Sequence, residues 1–229
     1  MGPQDIEAIL DRAEDTVARG DGLGGTGFHK VVAVAKRDPE VARRHGGRIA
    51  AIDEAAFRRW PMIVVPIVPG TVLASMAAVG GACLTVWARR LAGDGNDTAG
   101  LVAFLAAVVM LLASTHGLGH LVVGRLAGIH FSSWFVAKIS KPQPGVKIDY
   151  ESYLSSTATR RAWTHAAGAL TTKVIGLALV GAAIWVGMPP WLVWALAGLF
   201  VAMVIIDIIW STKSSDWARF RRELAYKAS

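Results

Sequence analysis

TAGLVAFLAAVVMLLASTHGLGHLVVGRLAG, residues 98–128, carries one formal charge, Arg125, from end to end. A helix rises ~1.5 Å per residue, and ~20 apolar residues cross the ~30 Å hydrocarbon core, so this run is long enough to span a bilayer. Similar runs occupy residues 61–88, 162–187 and 190–210. The link Met188-Pro189 is too short for anything but a hairpin between the last two. The 229-residue chain is therefore expected to be an all-α polytopic membrane protein with four transmembrane helices. Residues 1–60 form a small cytosolic helical extension, 61–210 the four-span membrane domain and 211–229 a basic cytosolic tail, with a short β-like loop between spans two and three. Composition agrees: 53% hydrophobic, 18% charged and a mean hydropathy of +0.43 suit neither a soluble domain nor a disordered chain. The single cysteine, Cys83, excludes an internal disulfide framework and a cysteine-based zinc finger.

Charge placement orients the spans. Lys and Arg number ten in residues 1–60, two in the first loop (Arg89, Arg90), five in the second (Lys138, Lys141, Lys147, Arg160, Arg161), none in the third, and five in the tail (Lys213, Arg219, Arg221, Arg222, Lys227). Positive residues accumulate on the cytoplasmic side, which puts both termini and the second loop there in a cell membrane. Trp60, Trp163 and Trp210 fall at inner ends, and Trp87, Trp185 and Trp191 at outer ends, as interfacial aromatics should. The net charge of +7 then reflects topology, and a nucleic-acid partner is not expected. The partner implied is the lipid bilayer.

The first 60 residues have no apolar signal segment. Ile6, Ile9, Leu10, Ala13 and Val17 recur at helical spacing and stop at Gly20. Gly22-Leu-Gly-Gly-Thr-Gly27 fits G-x-G-x-x-G, but a dinucleotide fingerprint needs a strand before it, and here a helix precedes; the run reads as a glycine linker. Asp38-Pro39-Glu40 marks the start of a second helix that holds Ile49, Ile52 and Phe57.

Ionisable side chains inside spans are costly and so point to function. His116 and His120 stand at i and i+4, on one helix face, where both can reach one metal ion. His116 lies ~28 Å from Asp97 and Asp207 ~26 Å from Pro190, both measured inward, while His165 lies ~6 Å beyond Arg161 at the inner end of the third span. All four converge toward the cytoplasmic side. His116, His120 and Asp207 make a three-ligand zinc site for one ion with a position left for water. Asp207 has an alternative role in an ion pair with Lys173 or Arg125, and His165 in a hydrogen bond within the bundle. Gly117, Gly119, Gly124 and Gly128 suit close helix packing.

The intramembrane histidine pair, the small-residue segment Ala166-Ala-Gly-Ala-Leu170, a later-span aspartate and the loop from Gly128-Ile-His-Phe-Ser to Gly145-Val-Lys-Ile-Asp-Tyr150 together resemble the site-2 protease family of intramembrane zinc metallopeptidases over roughly residues 98–215. The resemblance implies His116, His120 and Asp207 as zinc ligands and a β-rich loop beside the site. Gly117 stands where that family has its catalytic glutamate, and Thr171 and Thr172 follow the small-residue segment in place of an asparagine. Peptide hydrolysis then requires a substitute base, His165, or Asp149 and Glu151 if the loop folds back; a glutamate introduced at Gly117 is the direct test. Losing a positioned base costs ~10²- to 10⁴-fold. Two other readings stand beside the protease: a non-catalytic pseudoprotease that binds transmembrane segments of other proteins, and a haem protein using His116 or His120 with His165.

Overall fold

Two prolines explain where the first spanning helix begins. Pro61 and Pro66 bracket the β-branched run Ile63-Val64-Val65, and proline inside a helix removes a hydrogen bond and clashes with the preceding turn. In the computed structural model, which describes residues 2–138, 143–209 and 215–226, this run is strand β1 (Ile63–Pro66) and the helix α4 starts only at Ile67, six residues later than residue 61. Lys141, Trp210, Lys213 and Lys227 lie outside the described residues.

Among the described residues, four helices are long and apolar enough to cross a membrane: α4 (Ile67–Gly93), α5 (Asp97–Leu126), α7 (Ala158–Val186) and α8 (Pro190–Ile209). Their outer faces carry exposed Val68, Leu73, Met76, Val109, Leu177 and Trp194, the surface that hydrocarbon would cover. Helix α5 is central and packs on both α4 and α7. At the end remote from the histidines, Ala88, Phe104, Val108, Leu179, Ala183 and Val186 form the packed core. Gly187, at φ +85°, closes α7 in the left-handed region and turns the chain into the expected hairpin.

At the opposite end the chain builds a small helical and β layer. Helices α1 (Pro3–Ala18), α2 (Phe28–Ala35) and α3 (Pro39–Phe57) bury Ile6, Leu10, Ala13 and Val17 against Phe28, Val31, Val32, Ile49 and Ile52. Arg48 of α3 ties α1 down by reaching Glu7, Asp11 and Glu14 at 2.5–2.7 Å. The short apolar run at 31–34 is thus part of α2, and the Gly22–Gly27 segment joins two helices as a linker. Asp38 caps α3 by accepting from the Glu40 and Val41 amides. The expected β-like loop forms β2 (Phe131–Val136) and β3 (Gly145–Ile148), antiparallel, with β1 on the far side of β2. The short α6 (Tyr150–Ser155) follows and leads into α7.

The expected basic tail contains one further helix, α9 (Asp216–Ala225), folded back against α7. Its anchor is Glu223, only 3% exposed, which accepts from Arg161 Nε at 2.7 Å and is paired with Lys36 at the end of α2. Phe220 adds edge-to-face contacts with Trp163 and Trp217. Burial alone would raise the Glu223 carboxyl, but Lys36 and Arg161 outweigh it and hold the group below the usual glutamate range. A depressed carboxylate stabilises the folded state fully above its unfolded value of about 4.3, and that stabilisation disappears as the pH falls through the lower folded value. Acidification should therefore release α9, read as faster proteolysis or amide exchange of residues 216–225, and Glu223→Gln should release it already at neutral pH; equal protection in both proteins would refute this anchor.

Candidate metal centre

The register of α5 places His116 and His120 one turn apart, with their rings edge to face at 4.8 Å between centroids. Each ring is held from behind through Nδ1. His120 Nδ1 lies 2.7 Å from the Thr164 carbonyl, which only accepts, so Nδ1 carries the proton. Thr172 donates its hydroxyl to the Gly168 carbonyl at 3.0 Å and therefore accepts from His116 Nδ1 at 2.9 Å. In the neutral form of each ring, Nε2 is then a bare lone pair. A hydrogen bond at the remote nitrogen is the usual device for orienting a metal-ligating histidine.

The two Nε2 atoms stand 3.2 Å apart, and Asp216 Oδ2 lies 3.5 Å from His116 Nε2 and 3.3 Å from His120 Nε2. The three are the one cluster of metal-ligand type among the described residues. Three electron-rich atoms at this spacing repel unless a positive charge sits among them. A proton on one nitrogen points to one acceptor and leaves the remaining lone pairs opposed, whereas a cation serves all three. The donor set also fits in size: ligands ~2.0–2.1 Å from a tetrahedral zinc ion stand about 3.3 Å apart. The side chains are 13–20% exposed, so the cluster is reachable. Asp216 lies outside the spans, in the first turn of α9.

The carboxylate beside the histidines is thus Asp216, contributed by the first turn of α9, and not Asp207. Asp207 is ion-paired with Lys173 and accepts from Trp217 Nε1 at 3.2 Å, so it holds the residue next to Asp216. This is the interhelical pair that sequence offered as its alternative role. Asp216 lies beyond the spans, so the cost of intramembrane charge does not point to it. Its signal was Ser215-Asp216, a helix-start pair one short link beyond the fourth span, where Ser215 caps α9 through the Ala218 amide. Thr172, which stands near the position of a family asparagine, orients His116 through Nδ1.

His165 does not join the cluster. Its Nε2 lies 2.7 Å from the Tyr153 hydroxyl, and it flanks Thr164, which positions His120. Asp149 caps α6 through the Ser152 amide, and Glu151 faces Gly47 of α3, so neither folds back over the histidines. The glycines pack against large groups. A Cβ at Gly168 would meet His120 Nε2 at 2.2 Å, and one at Gly124 would meet Phe131 at 2.5 Å. At Gly117 a Cβ would meet Trp134 Cζ3 at 2.4 Å; the indole fills the space in which a glutamate side chain would start, and is held by Thr71 at 3.1 Å.

Two outcomes follow from these contacts. Gly117→Glu should lower the thermal midpoint in detergent, because overpacking costs roughly 1–3 kcal/mol, and should bring no peptidase activity; an unshifted midpoint would remove the contact with Trp134 from consideration. Thr172→Val should weaken metal retention against a chelator by about 10- to 100-fold, with Thr172→Ser close to the parent, since loss of such supporting hydrogen bonds has effects of this size. No protein-family model, curated protein or solved structure matches this chain.

Proposed function

We propose that this chain is a multi-pass membrane metalloprotein that holds one zinc ion through His116 Nε2, His120 Nε2 and Asp216 Oδ2, on a plan similar to that of the site-2 proteases. The observation that carries the reading is the convergence of three lone-pair donors at 3.2–3.5 Å with both Nδ1 protons committed elsewhere. When bound, a three-ligand zinc supplies a Lewis-acid position for a fourth ligand. The N-terminal helices, the sheet and α9 share the basic end of the bundle, and the positive-inside bias assigns that end to the cytoplasm.

The protein's own residues orient, shield and open this site. Thr164 and Thr172 fix the imidazoles, the glycine at 168 lets His120 lie against α7, and Glu223 keeps the helix that bears Asp216 in place. Trp134 over Gly117 leaves no position for a glutamate base, which favours a metal-binding pseudoprotease over a peptidase of the glutamate type. Haem is disfavoured by geometry: the Nε2 atoms of His116 and His120 are too close to lie on opposite faces of a porphyrin, and His165 is engaged by Tyr153.

Metal analysis of the detergent-purified full chain should find one zinc per chain. His120→Ala and Asp216→Ala should lose it, while Asp207→Asn, which keeps an acceptor for Trp217, should retain it. Metal loss on Asp207→Asn with retention on Asp216→Ala would transfer the third position back to Asp207, and metal-free parent protein would end the reading.

A further inference from the structure

A cavity of about 790 Å³ lies at the basic end between the N-terminal helices, the sheet, α6 and α9, and none of the three metal-site residues lines it. Small-molecule sites occupy roughly 300–1,000 Å³, so the size suits a ligand as well as solvent. Charge distinguishes the two. The carboxylates in its wall, Asp53 and Glu223, are already neutralised by Lys147, and by Lys36 and Arg161. Arg219 and Arg222, at i and i+3 on α9, also line it and make no ion pair with a described carboxylate. Two guanidinium groups with no described carboxylate in contact, set in a partly enclosed space, concentrate positive potential there, and their planar forks match phosphate oxygens.

A second wall is aromatic. Phe57, Trp60 and Phe135 form a mutually edge-to-face group with centroids 5.0–5.6 Å apart, and Trp60 is half exposed. Tyr150 lines the same space, and its hydroxyl makes no hydrogen bond among the described residues. Aromatic faces take up flat heterocycles irrespective of their identity. Inorganic phosphate or a lipid headgroup would satisfy the arginines alone and leave this wall without a partner.

We propose that the cavity is a nucleotide site, in which Arg219 and Arg222 hold the phosphates and the Phe57, Trp60 and Phe135 group receives the base. The site does not depend on the metal reading, since it shares no ligand with it. Nor does it use the G-x-G-x-x-G pattern as a fingerprint; Gly22 and Leu23 only complete the wall.

Equilibrium binding of ATP, adenosine, inorganic phosphate and short-chain phosphatidylglycerol to the detergent-purified full chain tests this. ATP should bind saturably, adenosine and phosphate each at least about tenfold more weakly, and phosphatidylglycerol should not displace ATP. Arg222→Gln and Trp60→Leu should each weaken ATP by about tenfold with thermal midpoint unchanged; if Arg222→Gln does not fold, the half-exposed Trp60 position still decides. Absence of saturable ATP binding, equal affinity in Trp60→Leu, or tighter binding of phosphatidylglycerol than of ATP overturns the proposal.

Discussion

His116 Nε2, His120 Nε2 and Asp216 Oδ2 face one another with lone pairs, and the arrangement is stable only around a positive charge. Much of the architecture at the basic end maintains that confrontation. The helical pitch of α5 sets the two imidazoles on one face, α7 fixes their tautomers with a carbonyl and a hydroxyl, and α9 is folded back so that its first turn meets them. Each of the three helices contributes a different kind of constraint, and removing one leaves polar atoms facing each other at the membrane boundary.

Close approach is obtained with glycine. A glycine in a helix interior costs about 1 kcal/mol relative to alanine, and α5 carries several near the histidines. Here the cost is offset by contacts that no larger residue permits: Trp134 against Gly117 and Gly70, Phe131 against Gly124, Thr171 against Gly119, and His120 against Gly168. In lipid, where apolar burial gives no driving force between helices, such packing is a main source of association. The same contacts leave no room at position 117 for a side chain longer than that of glycine.

The soluble helices are part of the site's support. Glu223 on α9 joins Arg161 of α7 to Lys36 at the end of α2, and so links the N-terminal layer to the helix bearing Asp216. Lys147 of β3 pairs with Asp53 of α3 and joins the sheet to the same layer. Buried pairs of this type are sensitive to removal of one member, because the remaining charge is left in a poor solvent. The N-terminal layer, the sheet and the helix bearing Asp216 are therefore tied together by ion pairs.

Four spans, the hairpin at Met188-Pro189, the helical N-terminal layer and the histidine pair were all legible in the sequence, because each depends on local period, length or charge: ~20 apolar residues, apolar positions every third or fourth residue, or an i,i+4 spacing. Strand β1 was hidden because its residues are as apolar as the span they precede; Pro66 marks where the helix can start, and pairing with β2 makes the run before it a strand. The carboxylate beside the histidines was beyond local reading. Asp207 and Asp216 differ by nine positions and both lie near the right depth, but Lys173 on α7 neutralises one while the return of α9, anchored at Glu223, carries the other to the histidines. Which carboxylate meets an imidazole depends on partners distant in the chain, and that choice was made by tertiary structure alone.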